Sequence, residues 1–518
     1  MSLSGLATLV TSDPVLAAAL EAARVHPDTL TTLDLTGPPA LRPFLVAGLA
    51  GDAGPGGWSG ARTVLAVTAT QREAEELVEA VGDLLDPHQV ALYPAWETLP
   101  HERLSPRADT VGRRLAVLRR LVHPGEPGTP TGPLRVLAAP VRSVLQPQVS
   151  GLADIEPVRL AAGDEADLDD VVRRLAGAAY SRVDLVERRG EFAVRGGIVD
   201  VFPPTEEHPL RVEFWGDTVE EVRSFAVADQ RSLDAAPELW APPCRELLLT
   251  DDVRRRAAAL VDEHPSLAEM LTRLADGHAV EGMESLAPVL VDSMQMLTDL
   301  LPPASHVVVF DPERVRARAA DLVATSEEFL QASWGAAAVG GEAPVDLGAS
   351  AYRSLADVRA DAIASRLPWW STSPFGLDPV DDGAIRTADP LRTEAGEVVS
   401  LDVDVDAGAV TSRTVGFAPA PVYRGDTDGA VADVRAWLAA GHRVVVVTPG
   451  AGQAARTAEL LAEHDVAARL TDALPDDPEP GVVHLAQGCL GHGLVSERLS
   501  LAVLTHDDLV TKRAASRD

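Results

Sequence analysis

Hydrophobic positions along the chain change their period repeatedly, and each change predicts a different architecture. From residue 15 to residue 140, short apolar runs alternate with stretches of helical spacing. Residues 15–25 read as an Ala/Leu-rich helix, Thr63–Thr68 as a strand, 71–84 as a helix exposing glutamates, and Leu134–Ala138 as a second strand. Strands separated by helices pair in parallel, since a parallel connection needs a crossover of a dozen or more residues. From Val183 to Phe225 the period falls to two, with Gly190, Gly196-Gly197, Pro203-Pro204 and Gly216-Asp217 between the runs. Alternation broken by turn residues predicts an antiparallel meander. Helical spacing returns over Asp252–Ala275, and His306–Phe310 reads as a buried strand ending at Asp311-Pro312. Beyond Pro368-Trp369-Trp370 the chain reads as loop to about 395. Arg443–Thr448, Gly481–Leu485 and Leu501–Thr505 then read as strands around a helix over 428–439.

The predicted fold class is therefore α/β: a parallel-sheet domain interrupted by a small α+β insert and followed by a further α/β domain. The expected division is 1–154, the insert at 155–242, a return to the first domain over 243–392, and the last domain at 393–518. Flexible punctuation is expected at Gly51–Gly57 and Pro124–Pro133, an acidic junction at Gly151–Asp170, and a frayed tail or artificial boundary at Lys512–Asp518. A length of 518 residues suits several domains at roughly 150 residues each.

Composition narrows the class. Hydrophobic residues make up 46% and charged residues 24%, as in ordinary globular proteins, and no apolar run approaches a membrane span. Met1–Gly5 lacks the basic and apolar regions of a secretory signal, so a cytoplasmic location is expected. Cys244 and Cys489 are far apart and form no CxxC, which predicts buried reduced thiols and neither a zinc site nor a disulfide. Against 45 basic side chains stand 78 acidic ones, giving a formal charge of −33, and such a field repels a phosphate backbone. Little intrinsic DNA binding is expected.

One count decides a mechanistic question: the chain has a single lysine, Lys512. A phosphate-binding loop needs backbone amides aimed at the phosphates, a lysine on the β/γ oxygens and an adjacent Ser/Thr on Mg²⁺. Leu33–Gly37 has the strand-then-glycine shape, but Pro38 and Pro39 remove two amides and Lys512 lies at the other end. No Walker A motif, GxSxG or HExxH occurs. Asp311, at the tip of an apolar strand, reads as a capped strand end before it reads as a Mg²⁺ ligand. Catalytic, cofactor and metal sites are all expected to be absent.

In the meander, period-two logic becomes informative. Leu210, Val212 and Phe214 share one face, and Arg211, Glu213 and Trp215 the other. Phe192 and Val194 oppose Ala193 and Arg195; Val199 and Val201 oppose Ile198, Asp200 and Phe202. If the apolar set is the core, an outward Arg/Trp face follows, and these residue types are enriched in interface hot spots. The alternative is Arg211 paired to Glu213, with Trp215 packed under a helix of the insert.

Two stretches carry a family resemblance. Tyr93-Pro94-Ala95-Trp96-Glu97-Thr98-Leu99-Pro100, with Ser105-Pro106 and Arg113-Arg114-Leu115, resembles the N-terminal region of the bacterial transcription-repair coupling factors (Mfd). Tyr180–Asp184, Gly190–Pro203 and Arg211–Phe214 are similar to the element that these proteins share with the excision-repair subunit UvrB. The resemblance implies a degenerate helicase-like (RecA-like) first domain without an ATP site, and an insert that binds UvrA. It implies contacts to UvrA by Arg195, Arg211 and Trp215, with Arg182 a weaker fourth candidate, and Ala193 standing where UvrB has a further arginine. It implies that ATP, Mg²⁺, double-stranded DNA and RNA polymerase belong to other parts of the intact protein.

The function expected is a non-catalytic module that recruits UvrA to stalled RNA polymerase for nucleotide excision repair. Two alternatives stay open at the level of the residues: a nucleotide-dependent enzyme with an unorthodox site at Thr36-Gly37 and Asp311, and a damaged-DNA binder using Arg103, Arg107, Arg113, Arg114, Arg119 and Arg120, the last four on a helix predicted over 109–122.

Overall fold

The computed structural model describes residues 3–25, 30–51, 62–99, 101–126, 132–338, 344–345, 352–374, 388–392, 398–402 and 411–510. The predicted loop at 52–57 and the tail at 512–518 lie outside these residues, as does most of the stretch from 375 to 395.

Seven parallel strands form the main sheet, in the order Thr411–Thr414, Thr32–Thr36, Trp369–Ser373, His306–Phe310, Val64–Thr68, Val136–Pro140, Val90–Leu92. Its strands are apolar on both faces because helices cover both. Leu33, Leu35, Val64, Ala66, Val136, Ala138, Val308 and Phe310 enter one core, while Leu65, Val67, Leu137, Ala139, Val307 and Val309 enter the other. The alternation predicted for a buried strand thus serves two separate cores. Trp369–Ser373 was expected to open a loop and is instead an inner strand; its Trp369, Trp370, Thr372 and Ser373 are buried, and a run with two tryptophans masks the apolar signal with polar residues. Thr411–Thr414 is an edge strand of this sheet although it follows residue 393.

Between Val136–Pro140 and His306–Phe310 the chain leaves the sheet. It first builds a six-stranded sheet in the order Ser232–Ala235, Thr218–Phe225, Leu210–Trp215, Ile198–Val201, Glu191–Arg195, Ser181–Arg182, antiparallel except at the last, parallel pair. The helix Leu168–Gly177, N-capped by Asp167, packs Val171 and Leu175 onto it, so the acidic run at 164–170 serves as a helix start. A helical unit follows. The continuous helix expected over 252–275 is two, Asp251–Leu260 and Ala268–Ala275, separated at Pro265, which has no amide hydrogen to continue the first.

The C-terminal sheet runs Ala418–Pro419, Leu494–Ser496, Leu501–Thr505, Arg443–Thr448, Val483–Gln487, Ala468–Thr471, with the last four parallel. One face packs under its own helices Thr427–Ala439 and Ala451–Glu463 through Val444, Val446, Leu485 and Leu504. The other face shares a core with the first domain: Val445, Val447, Leu501 and Val503 join Leu3 and, from the helix Ser4–Thr11, Leu6 and Val10. At that seam Gly5 lies so close that a Cβ would sit 2.3 Å from the Pro475 carbonyl oxygen. Asp83 bridges the seam, its carbonyl taking the Leu3 amide and its carboxylate the Cys489 amide at 2.5 Å. Cys244 is buried as expected, but Cys489 is exposed, because it sits in the loop after the strand Val483–Gln487.

Candidate docking face of the inserted sheet

The two faces of the six-stranded sheet separate as the alternation predicts. Phe192, Val199, Val201, Leu210, Val212, Val219 and Val222 lie in the core under the helix. The opposite face carries, in cross-strand register, Ala193, Asp200, Arg211 and Arg223, and beside them Arg195, Ile198, Glu213 and Glu221. A bulge between Glu213 and Phe214 shifts the pairing, so that Trp215 meets Thr218 at the hairpin tip.

Each predicted residue has a distinct position. Trp215 is 80% exposed, where the alternative reading had it packed under a helix. A tryptophan so exposed on a turn is a large apolar area without a covering neighbour. Arg195 is exposed at the Gly196-Gly197 turn and donates to the Asp184 carbonyl. Gly196 has a φ of +61°, the left-handed value that glycine adopts without strain, and a Cβ on Gly197 would come within 2.9 Å of the Phe214 carbonyl oxygen. Arg182 is exposed on the edge strand, in register with Phe192.

Arg211 is not the free cation that an outward position implies. Its Nε and Nη2 donate to both carboxylate oxygens of Asp200 at 2.7 and 2.9 Å, Nη1 donates to the Gln230 carbonyl at 3.4 Å, and the guanidinium lies 4.7 Å from the centre of the Phe225 ring. The hydrogen bonds to Asp200 hold its pKa above the ordinary arginine value. Its partner is thus Asp200, not Glu213: the cross-strand register places Asp200 directly opposite, whereas Glu213 is two residues along the same strand. One end of this face is closed by a small second core of Val186, Ala193, Phe202 and Phe225. The open end carries Arg195, Ile198, Glu213 and Trp215, with Leu185, 40% exposed, next to the carbonyl that Arg195 holds. Sequence reasoning missed Phe225 and Leu185 as parts of this face, and Asp200 as the partner of Arg211. Period two put Asp200 on the correct side, but the partner it would face required the register.

The other candidate constellations are consumed internally. Asp311 receives Arg42 at 2.5 Å and Arg314 at 3.3 Å. Gly37 is overlaid by Val415, 2.7 Å from where a Cβ would be. The arginines read as a DNA-binding row on the helix Ala108–Val122 are mostly tethers. Arg114 is fully buried, Arg119 pairs with Glu126 and the Ala153 and Ile155 carbonyls, and Arg120 holds the His88 and Gly132 carbonyls. Arg113 is paired to Asp109 on the helix surface. Guanidinium groups committed to carbonyls and carboxylates in this way have fewer donors left for phosphates.

The Tyr93–Pro100 stretch has a structural use. Trp96 Nε1 donates to Glu246 at 3.0 Å, and Arg114 donates to both oxygens of the same carboxylate and to the Pro94 carbonyl while stacking 4.2 Å from the Tyr93 ring centre. Burial opposes the charge on Arg114, yet Glu246, Tyr93 and Glu97 together offset it and the pKa is raised. Pro204 closes the same joint over Gly112, where a Cβ would meet its ring at 2.5 Å. The motif therefore fastens the insert to the α/β body.

Comparison with known proteins defines the class first. Residues 158–246, which contain this sheet and its helix, match the family described as the UvrB interaction domain. An α/β body with a parallel sheet, interrupted by a UvrB interaction domain, is the class to which the chain conforms. More particularly, the chain resembles the transcription-repair-coupling factors along its whole length. It is 44% identical to that of Mycobacterium bovis over 100% of this chain and 40% of that protein. It is 31% identical to that of Myxococcus xanthus over 88% of this chain and 38% of that protein. With that of Escherichia coli it shares 29% identity over 35% of this chain and 15% of that protein. The chain spans about two fifths of the length of the first of these relatives. No single helix among the described residues is long and apolar enough to cross a membrane.

Proposed function

We propose that this chain is the UvrA-recruiting module of a transcription-repair coupling factor, and that it docks through the open end of the inserted sheet. The observation that carries the reading is Trp215: an 80%-exposed tryptophan at a hairpin tip, on the same sheet as the exposed Arg195, inside a UvrB interaction domain. Aromatic and arginine anchors of this kind supply a large share of binding energy in protein interfaces. The contacts are assigned to Trp215 and Arg195 directly and to Arg211 through its remaining N–H groups; Arg182, in register with the core residue Phe192, lies on the helix side of the edge strand and reaches the partner only around that edge.

In this reading the chain performs no chemistry. ATP and Mg²⁺, double-stranded DNA and RNA polymerase are engaged by other parts of the full-length protein, and the module supplies the link from a stalled polymerase to excision repair in the cytoplasm. Titration of the chain into purified UvrA by calorimetry, with the Arg195→Ala, Trp215→Ala double variant alongside, tests the proposal. Binding that the double variant abolishes supports it; a folded wild-type chain whose affinity for UvrA matches that of the double variant overturns it.

A further inference from the structure

We infer that Asp200 is a positioning residue of the docking face, holding the Arg211 guanidinium flat and pre-ordered for the partner; this rests on the docking reading above. Asp200 is 3% exposed in the middle of the strand Ile198–Val201, directly opposite Arg211. Both of its oxygens are engaged in a parallel two-point contact, the geometry in which a carboxylate fixes a guanidinium most firmly. Phe225 supports the flat face of the group from one side, and the Gln230 carbonyl fixes Nη1.

Stability alone gives little reason for this arrangement. Taking a carboxylate and a guanidinium out of water costs several kcal/mol per ion, and well-packed apolar residues in place of a buried pair are often neutral or better. The pair instead has two consequences for a partner. A guanidinium offers five N–H donors, and three are used here, so two remain at fixed angles on a side chain that is 17% exposed. The rotamer entropy that an arginine loses on binding is already spent in the fold. Asp200 also cancels the charge of Arg211. Arg211 therefore presents oriented donors, while the charges left without such a partner on this face are those of Arg195 and Glu213, which flank Ile198.

These consequences fix the sign of the expected effects. Asp200→Asn keeps the volume and one acceptor but breaks the two-point contact and leaves the Arg211 charge uncompensated. If Asp200 positions Arg211, UvrA affinity falls about tenfold, the cost of a charge-assisted hydrogen bond. Arg211→Lys falls as far, because an ammonium cannot make the two-point contact, and the double variant is no weaker than either single one. If the Arg211 charge alone matters, Asp200→Asn binds an acidic partner surface more tightly and with a steeper salt dependence.

The experiment measures affinity for purified UvrA by calorimetry for the wild-type chain, Asp200→Asn, Arg211→Lys, the double variant and Trp215→Ala. The Arg211 Nε–H exchange rate is read by NMR on arginine-labelled protein, and a melting curve is recorded for each. A tenfold loss with accelerated Nε–H exchange, at a temperature where every variant is folded, supports the inference. Wild-type or tighter affinity for Asp200→Asn overturns it when Trp215→Ala loses binding. Equal affinity of Trp215→Ala and wild type overturns the docking reading itself.

Discussion

Arg114 and Glu246, 132 residues apart in sequence, form an ion pair in which both side chains are almost wholly removed from solvent, 0% and 3% exposed, with Nε and Oε1 2.5 Å apart. The pair sits where the returning end of the insert meets the helix Ala108–Val122, and Trp96 shares the same carboxylate. A buried charge without its partner is far costlier than the pair is valuable.

Glu246→Ala is therefore expected to destabilise the chain by about 3–5 kcal/mol, leaving the Arg114 guanidinium buried against Tyr93 with only the Pro94 carbonyl. Arg113→Ala, one position away but half exposed, is expected to stay within about 0.5 kcal/mol of wild type. Urea unfolding of the two variants checks the contrast; equal effects would refute the internal role of the arginine row.

Trp215→Ala is expected to weaken UvrA binding by about 2 kcal/mol or more, roughly thirtyfold, while leaving the melting temperature unchanged. The side chain is mostly in water before binding, so its removal opens no cavity. Arg173→Ala, on the exposed surface of the insert's helix, serves as the neutral control. Calorimetry with UvrA and a melting curve together make the measurement.

Acid sensitivity is expected from His306. The ring is 1% exposed, lies edge-on to Trp370 at 4.6 Å, and none of its nitrogens has a hydrogen-bond partner. Burial, with Arg62 nearby, pushes its pKa from 6.5 down to about 3. Below pH 6.5 the unfolded chain takes up a proton at this site that the fold refuses. Stability then falls as pH drops, by about 1.4 kcal/mol per unit, until the folded pKa is reached. His306→Phe keeps a ring against Trp370 and removes the proton. The loss of unfolding free energy between pH 7.5 and pH 5 should be about 2 kcal/mol smaller in that variant, and an unchanged loss would place the sensitivity elsewhere.

Gly5→Ala is expected to strain the seam between the first domain and the C-terminal sheet. The added Cβ would meet backbone, the Leu474 and Pro475 carbonyls, which cannot swing away as a side-chain tip can. A cost of about 1–3 kcal/mol, with faster proteolysis after residue 411, is the expected outcome. Gly177→Ala, where nothing lies within 4 Å, should be neutral or slightly stabilising. Thermal melts and limited proteolysis separate the two.

Local pattern was enough to read the α/β class, the antiparallel meander and the two faces of each of its strands, because side-chain alternation is set by the backbone pleat alone. The strand His306–Phe310 and the helix 71–84 were legible for the same reason: their signals lie within a few residues. What the pattern left open was which residues meet across the fold. That Arg211 is bound by Asp200, that Arg114 is a buried tether, and that the C-terminal sheet shares its core with residues 3–10 all depend on register and on packing between distant segments. An arginine has the same one-dimensional signature whether it faces water, a carboxylate or a partner. Only the tertiary structure sets its surroundings, because desolvation and pairing are properties of the space around the charge and not of the neighbouring residues in the chain.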